Sequence, residues 1–519
     1  MSNTTGWIIV AFAFYLLVMV IIGAYFAKRN KSAEDYFLGG RNLGGYAAAL
    51  SAQASDMSGW LLMGLPGAIY LTGVGGDGWC AIGLFAGTVL NWMFISKRIR
   101  RYTIRANNAV TLPEYFQNRF HDDKRILMKI ASVIIVIFFL VYTASALSAG
   151  GQLFESVFHV DYKIALTIGA IVILAYTFLG GFLAVCTTDF IQGTLMLVAI
   201  LAVPIFAYIF MRQDGVTLMD GLAASNLPTD NPSDYLNLMK NGSGKNGIIN
   251  IISGLAWGLG YCGMPHILVR FMAVRNEKEL KKSKVVAIVW VAISLTFACF
   301  IGILGRAYLK PEILADGNQE HVFIEMIQKV FTSELMWPII AGIFLCGILA
   351  AIMSTADSQL LVSASSVAED LYKGIFKKEA TDKQVMLVSR VTVIVIAVLA
   401  YVIALNPNNT IMGLVSYAWA GLGASFGPLV VLSLFWKRTN VQGAIAGMCA
   451  GAISTIIWDY LPIIKGAEGM VTLKSFTGLY SLAVGFIIGL VVIIGISLLT
   501  PKPSEIILQE FDDVKAGNI

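Results

Sequence analysis

Long unbroken apolar runs, each near the length of a bilayer-spanning helix, decide what this chain can fold into. A helix needs roughly 20 apolar residues to cross the hydrocarbon core. Barrel strands would alternate apolar and polar residues instead. The runs here do not alternate, so the sequence predicts an all-α membrane protein. The chain is 57% hydrophobic and only 13% charged, whereas soluble domains carry about 25% charged residues. A soluble protein of this composition could not cover its surface.

Thirteen runs are predicted as transmembrane helices: 7–27, 46–70, 77–96, 128–153, 163–179, 188–211, 247–269, 285–306, 336–361, 386–405, 411–435, 441–462 and 476–499. The first is too long for a signal-peptide core and follows no basic residue, so it reads as a retained span. Basic residues test the count, because they favour cytoplasmic loops. With the N-terminus outside, 28 of the 37 Lys and Arg residues fall on the inner side. That predicts a cytoplasmic C-terminus, with 501–519 as its tail. The six cysteines and four histidines form no CxxC or Cys/His cluster, so metal and haem sites are not expected. The longest outer connection, 212–246, is too short for a further domain, and 1–519 reads as one transmembrane unit. A short surface helix is expected around Val322 to Phe331.

Polar residues inside a bilayer are costly and mark function. In Ser51-Ala-Gln-Ala-Ser-Asp-Met-Ser-Gly59, an aspartate joins small polar residues in mid-run. Small residues alone would serve helix packing, but Asp56 adds nothing to packing. An unwound helix here would offer carbonyls to a cation and amides to a carboxylate. In Ala350-Ala-Ile-Met-Ser-Thr-Ala-Asp-Ser358, adjacent Ser354 and Thr355 present hydroxyls suited to sodium. The alternative is that they bond their own helix carbonyls. In Ser253-Gly-Leu-Ala-Trp-Gly-Leu-Gly-Tyr-Cys-Gly-Met-Pro265, four glycines and a proline weaken a helix. Trp257 and Tyr261 share a face there, reading either as a pocket or as core aromatics at a kink. Asp189 opens the sixth run, as a helix N-cap or as part of a cation route. Arg41 lies in an inward loop, as part of an inner gate or an interface anchor.

The first and third segments lie five runs apart, in runs two and seven. Interrupted spans at matching places point to an inverted repeat. Runs 2–6 (46–211) and 7–11 (247–435) would be the repeats, with runs 1, 12 and 13 added.

At these residues the chain resembles the sodium/solute symporter family, most closely its proline-transporting branch. The stretches that carry it are Asp35-Tyr-Phe-Leu-Gly-Gly-Arg-Asn42, Ala54-Ser-Asp-Met-Ser-Gly-Trp-Leu-Leu-Met-Gly-Leu-Pro66, Gly260-Tyr-Cys-Gly-Met-Pro-His-Ile-Leu-Val-Arg-Phe-Met272 and Ala351-Ile-Met-Ser-Thr-Ala-Asp-Ser-Gln-Leu-Leu361. The resemblance implies a LeuT-type five-plus-five inverted-repeat fold. It implies a sodium site of the carbonyls of Ala54, Met57 and Ala351 with the hydroxyls of Ser354 and Thr355. It places substrate at Ser58, Gly59, Tyr142, Trp257, Tyr261 and Pro265. Asp56, Asp189, Arg41 and Asp357 would support coupling, although Asp357 does not occur in all members. The expected activity is sodium-coupled import of L-proline across the bacterial plasma membrane by alternating access. Another small amino acid, pantothenate or a monocarboxylate is the alternative cargo. Co-transported sodium, a small zwitterion and the bilayer are the expected partners; no organic cofactor, nucleic acid or obligatory protein partner is expected. No nucleophile/base pair or cofactor motif suggests an enzyme, and no ring of like charge suggests a channel.

Overall fold

The computed structural model describes residues 3–27, 33–177, 181–229, 231–241, 244–245, 247–309, 318–406, 410–465 and 469–518. Helix dominates, as backbone groups in hydrocarbon require. In order, the principal helices are α1 (Asn3–Ala27), α2 (Gly45–Asp56), α3 (Trp60–Thr72), α4 (Val74–Arg105), α5 (Leu112–Arg119) and α6 (Ile126–Phe158). They continue with α7 (Tyr162–Thr177), α8 (Phe182–Gln213), α9 (Ile248–Gly263), α10 (Pro265–Ala273), α11 (Glu277–Tyr308) and α12 (Val322–Ile327). The rest are α13 (Pro338–Phe376), α14 (Asp382–Ala404), α15 (Ile411–Phe435), α16 (Val441–Tyr460), α17 (Ser481–Leu499) and α18 (Glu505–Ala516).

Among the described residues ten helices are long and apolar enough to cross a bilayer, or eleven if the bent pair α9–α10 is one span. Helix is present at every predicted run. However, α2 has 12 residues and α7 only 16, so length alone does not make each a crossing.

Sequence-local signals set many helix starts. The side chains of Thr381, Asn276, Thr410 and Asn440 each accept a hydrogen bond from an amide in the first turn of the helix they precede, satisfying groups the helix cannot. Two departures from expectation have clear causes. The segment around Val322 to Phe331 is helical but not a surface element, for Val322, Phe323, Ile324, Met326, Ile327, Val330 and Phe331 are all buried. Its apolar residues cover too much of its circumference for one exposed face. Helix α8 begins at Phe182, so Asp189 lies two turns inside it.

Glycines let the central helices touch. A Cβ on Gly87 would lie 2.2 Å from Gly258 O, and one on Gly258 would lie 2.2 Å from Gly83 O. One turn on, a Cβ on Gly254 would lie 2.6 Å from Trp79 Cβ. This ridge brings α4 and α9 backbone to backbone, as small residues do in membranes. On the far side of α9, a Cβ on Gly263 would lie 2.6 Å from Gly427 N of α15. At one end of the molecule, Arg41 donates to Asn108 Oδ1, Met272 O and Ala109 O, each at 2.7 Å. Arg100 donates there to Val274 O and Arg275 O. This is the basic end.

The α4–α9 contact predicts that Gly258→Val costs about 1–3 kcal/mol or more through overpacking. Gly495→Ala, with nothing within 4 Å of its Cβ, should leave stability intact. Thermal unfolding of both variants in detergent checks this; equal midpoints would refute the close contact.

Candidate functional site

The site starts from one break in a helix. Helix α2 stops at Asp56, and Met57 takes φ −81°, ψ 76°. In an uninterrupted helix the Ser58 amide would bond Ala54 O. Here it donates to Asp56 O at 3.0 Å instead. That frees Ala54 O, which accepts from Ser354 Oγ at 2.7 Å and Thr355 Oγ1 at 3.4 Å across the helix interface. Ser354 Oγ is also 3.2 Å from Ala351 O. Ala54, Ala351, Ser354 and Thr355 thus form one oxygen cluster, fully buried. Met57 is buried at the first irregular position, three residues beyond Ala54. Helix α13 stays unbroken through 351–358, so its contribution comes mainly from hydroxyls.

The second break faces the first. Helix α9 tightens over Trp257–Gly263, and α10 begins at Pro265 after a 45° bend at Met264. Tyr261 OH donates to Asp56 Oδ2 at 2.6 Å. Asn91 Nδ2 holds Tyr261 O at 3.0 Å, and Trp60 Nε1 holds Asp56 O at 2.9 Å. Asp56 Oδ1 is buried and makes no hydrogen bond among the described residues. Tyr142 of α6 lies beside Ser58 and Trp60, with the His266 ring 6.2 Å from its own. Helix α6 also comes close at Gly59, where a Cβ would lie 2.8 Å from Ala149 Cβ. The ring of Trp257 stacks on Tyr480 at 4.9 Å, and Trp419 Nε1 donates to Trp257 O at 2.8 Å. Trp419 also meets Tyr261 edge to face at 5.1 Å. Ser58, Gly59, Tyr142 and Tyr261 are therefore gathered round the first break, and Trp257 joins them through Trp419. Pro265 sits toward the basic end, lining a narrow cavity with Leu112, Pro113, Val269, Arg270 and Leu361.

Asp189 does not cap a helix. Its carboxylate is fully buried, accepts from Ser51 Oγ at 2.6 Å and pairs with Arg270 at 3.3 Å. Arg270 itself is 1% exposed. It also donates to Ser51 Oγ, Ser358 Oγ and His266 O. The basic run from Arg270 to Lys284 makes Arg270 look like a loop residue, but it lies inside α10. One sequence signal favours burial: every residue from Pro265 to Met272 but Arg270 and His266 is apolar. Asp357 is buried on α13 one residue before Ser358. Arg41 stands apart from the breaks, hydrogen-bonded to Asn108, Met272 O and Ala109 O at the basic end. Sequence reasoning also missed Glu320, whose carboxylate accepts from the amides of Ile411 and Met412 and from Gln152. Burial pushes its carboxyl above the ordinary range despite these donors.

A pair of broken helices, each presenting freed backbone beside buried hydroxyls and aromatics, is an arrangement for carrying a small polar solute. Residues 36–451 match the sodium:solute symporter family. The chain belongs to that family. Its members are sodium-coupled transporters, not enzymes. Relatives of this symporter include the osmoregulated proline transporter OpuE of Bacillus subtilis (strain 168), 42% identical over 499 residues, covering 96% of each chain. The high-affinity proline transporter PutP of the same organism is 43% identical over 495 residues, covering 95% of this chain and 98% of that one. The sodium/proline symporter of Escherichia coli (strain K12) is 42% identical over 512 residues, covering 98% and 96%. Among solved structures, a substrate-bound, outward-open sodium-coupled sialic acid symporter superposes with a TM-score of 0.72 at 21% identity, covering 96% and 99%. A nucleobase-cation-symport-1 family transporter in a closed conformation gives 0.52 at 12% identity, covering 93% and 99%. The symporter thus shares its fold with both of these transporters.

The buried Asp189–Arg270 pair predicts that Arg270→Met destabilises by about 3–5 kcal/mol, because one charge is left unpaired in low dielectric. Adding Asp189→Leu should recover part of that loss. Thermal unfolding midpoints in detergent read both. An unchanged midpoint for the single variant would remove Arg270 as the counter-ion.

Proposed function

We propose that this symporter imports L-proline together with sodium across the bacterial plasma membrane by alternating access. The observation that carries this reading is the convergence of the freed Ala54 carbonyl on Ser354 and Thr355, two residues from Asp56, which Tyr261 holds. Its high-identity relatives named as proline transporters favour proline over pantothenate or a monocarboxylate.

In this reading sodium, as cargo, is held by the carbonyls of Ala54, Met57 and Ala351 and the hydroxyls of Ser354 and Thr355. It replaces the hydroxyl-to-carbonyl hydrogen bonds that now join α13 to the break. Asp56 stays outside that shell and fixes the break through Tyr261. The proline carboxylate and imino group meet the freed backbone around Ser58 and Gly59. The ring packs on Tyr142 and Trp257, with Tyr261 and Pro265 completing the pocket. Sodium orders the break, so it raises affinity for proline, and proline must raise affinity for sodium equally. Asp189 and Asp357 support the ion's inward passage, and Arg41 closes the inner end between turnovers.

The charge asymmetry supports thirteen spans with the N-terminus outside and the C-terminus in the cytoplasm. The two broken spans, five apart, support paired inverted repeats over 46–211 and 247–435. One positive charge crossing 100 mV supplies about 2.3 kcal/mol. That alone drives roughly fiftyfold accumulation, since about 1.4 kcal/mol is a factor of ten.

Radiolabelled proline uptake into proteoliposomes tests the whole reading. It should require an inward sodium gradient and resist competition by excess pantothenate or lactate. Uptake indifferent to the gradient, or blocked by those acids, would overturn it. The paired change Ser354→Ala with Thr355→Ala should raise the sodium concentration for half-maximal uptake about tenfold or more, the loss of roughly 1.4 kcal/mol of ion binding, while changing the maximal rate little. An unchanged sodium requirement would remove these hydroxyls from the ion site.

A further inference from the structure

Helix α18 lies across the basic end and binds it in two ways. The chain entering it is bolted by hydrogen bonds. Asn440 Nδ2 donates to Thr500 Oγ1 at 2.7 Å and Pro501 O at 2.8 Å, and Arg438 donates to Thr500 O at 2.8 Å. The helix itself buries only Ile507, Phe511 and Val514. Its remaining hold is electrostatic. Asp513 pairs with Arg105 at 3.6 Å and Asp512 with Lys437 at 3.6 Å, and Glu510 hydrogen-bonds the His121 ring at 2.9 Å, an ion pair when that ring is protonated. The basic partners are 40–58% exposed. Phe511 packs at 6.5 Å from Tyr102 and 5.5 Å beneath the guanidinium of Arg119.

Helix α18 thus rests on the end of α4, through Tyr102 and Arg105, and on the end of α5, through Arg119 and the His121 that follows it. The other end of α5 forms a wall of the narrow cavity beneath Pro265, through Thr111, Leu112 and Pro113. Helix α13 lines the same cavity through Leu361, Val362, Ser365 and Ser366, and Thr111 donates to its Asp370 at 2.6 Å. Helix α5 thus closes the cavity at one end and is held down by α18 at the other. It is also tied to α15, where Tyr115 and Arg119 both meet Ser433.

We propose that α18 is a strap across the ends of α4 and α5 whose exposed ion pairs, loosened by cytoplasmic salt, set how readily the carrier opens inward. The proposal rests on the reading that the cavity beneath Pro265 belongs to the inward route. Exposed pairs are individually weak and are screened as ionic strength rises, whereas the bolted start of the strap is made of neutral or partly buried hydrogen bonds. Salt therefore frees the distal turns and leaves the strap attached, so that release is reversible.

The test uses the full chain, right-side-out in proteoliposomes, with the sodium gradient and osmolality fixed and luminal potassium chloride varied. Screening length falls from about 30 Å at 0.01 M to about 3 Å at 1 M. The initial rate of proline uptake should rise about twofold or more across that range, in proportion to the screening of the pairs. The triple variant Glu510→Gln, Asp512→Asn and Asp513→Asn should run at the high-salt rate throughout. Equal salt responses in the two proteins, or none in either, would overturn the strap. Spin labels on Gln509→Cys and Asn107→Cys, with the native cysteines replaced, read the strap without any substrate. Their separation should broaden and lengthen with salt; a fixed separation would also overturn it. Salt-dependent strap motion in a protein that takes up no proline would sink the substrate reading and leave the strap standing.

Discussion

Backbone amides and carbonyls in hydrocarbon must find partners within the protein, and most of this structure follows from the few places where a helix fails to supply them. At Met57 the chain leaves the helix, and Ala54 O loses its intrahelical donor. Its replacement comes from Ser354 and Thr355. A contact between two distant helices is thereby written into a local backbone irregularity. The same constraint acts at Met264, where Pro265 removes a donor and α10 bends by 45°. Because both breaks are satisfied by neighbours rather than by themselves, neither could persist in an isolated helix.

A second layer of polar groups surrounds the breaks. Asp56 is anchored through Tyr261, and Asp189 through Ser51 and Arg270. Buried ions of this kind contribute little to stability compared with apolar substitutes, but each is strongly needed once its partner is present. They confine the helices to arrangements in which every charge is met. That is useful to a carrier, which has to exchange a few well-defined conformations rather than drift among many.

The helical, membrane-spanning character of the chain and the first break were legible in the sequence because they depend on local composition. Long apolar runs announce helices, and Ser55, Asp56, Ser58 and Gly59 inside such a run announce a disturbance. The elements that face one another were not legible from periodicity. The bond from Tyr261 to Asp56 spans 205 residues, and only the relation between two interrupted runs hinted at it. Arg270 was hidden by the basic stretch that follows it. Asp189 was displaced by the extension of α8 back to Phe182, since Phe182 to Val185 continue the apolar run beyond the predicted start. The segment around Val322 to Phe331 misled for a different reason: an apolar face predicts burial against something, and the sequence does not say against what.

The glycine ridge between α4 and α9 has a mechanical consequence. With no side chains between them at Gly83, Gly87, Gly254 and Gly258, the two helices cannot slide without collision and turn as one piece. Helix α4 has 32 residues, so it is about 48 Å long at 1.5 Å per residue. It works as a lever arm: from the ridge at Gly87 to Arg105 is about 27 Å at 1.5 Å per residue, so a tilt of about 10° there sweeps the far end through roughly 5 Å. Small rearrangements about Trp257 can in this way be magnified into large displacements of Arg98 to Arg105.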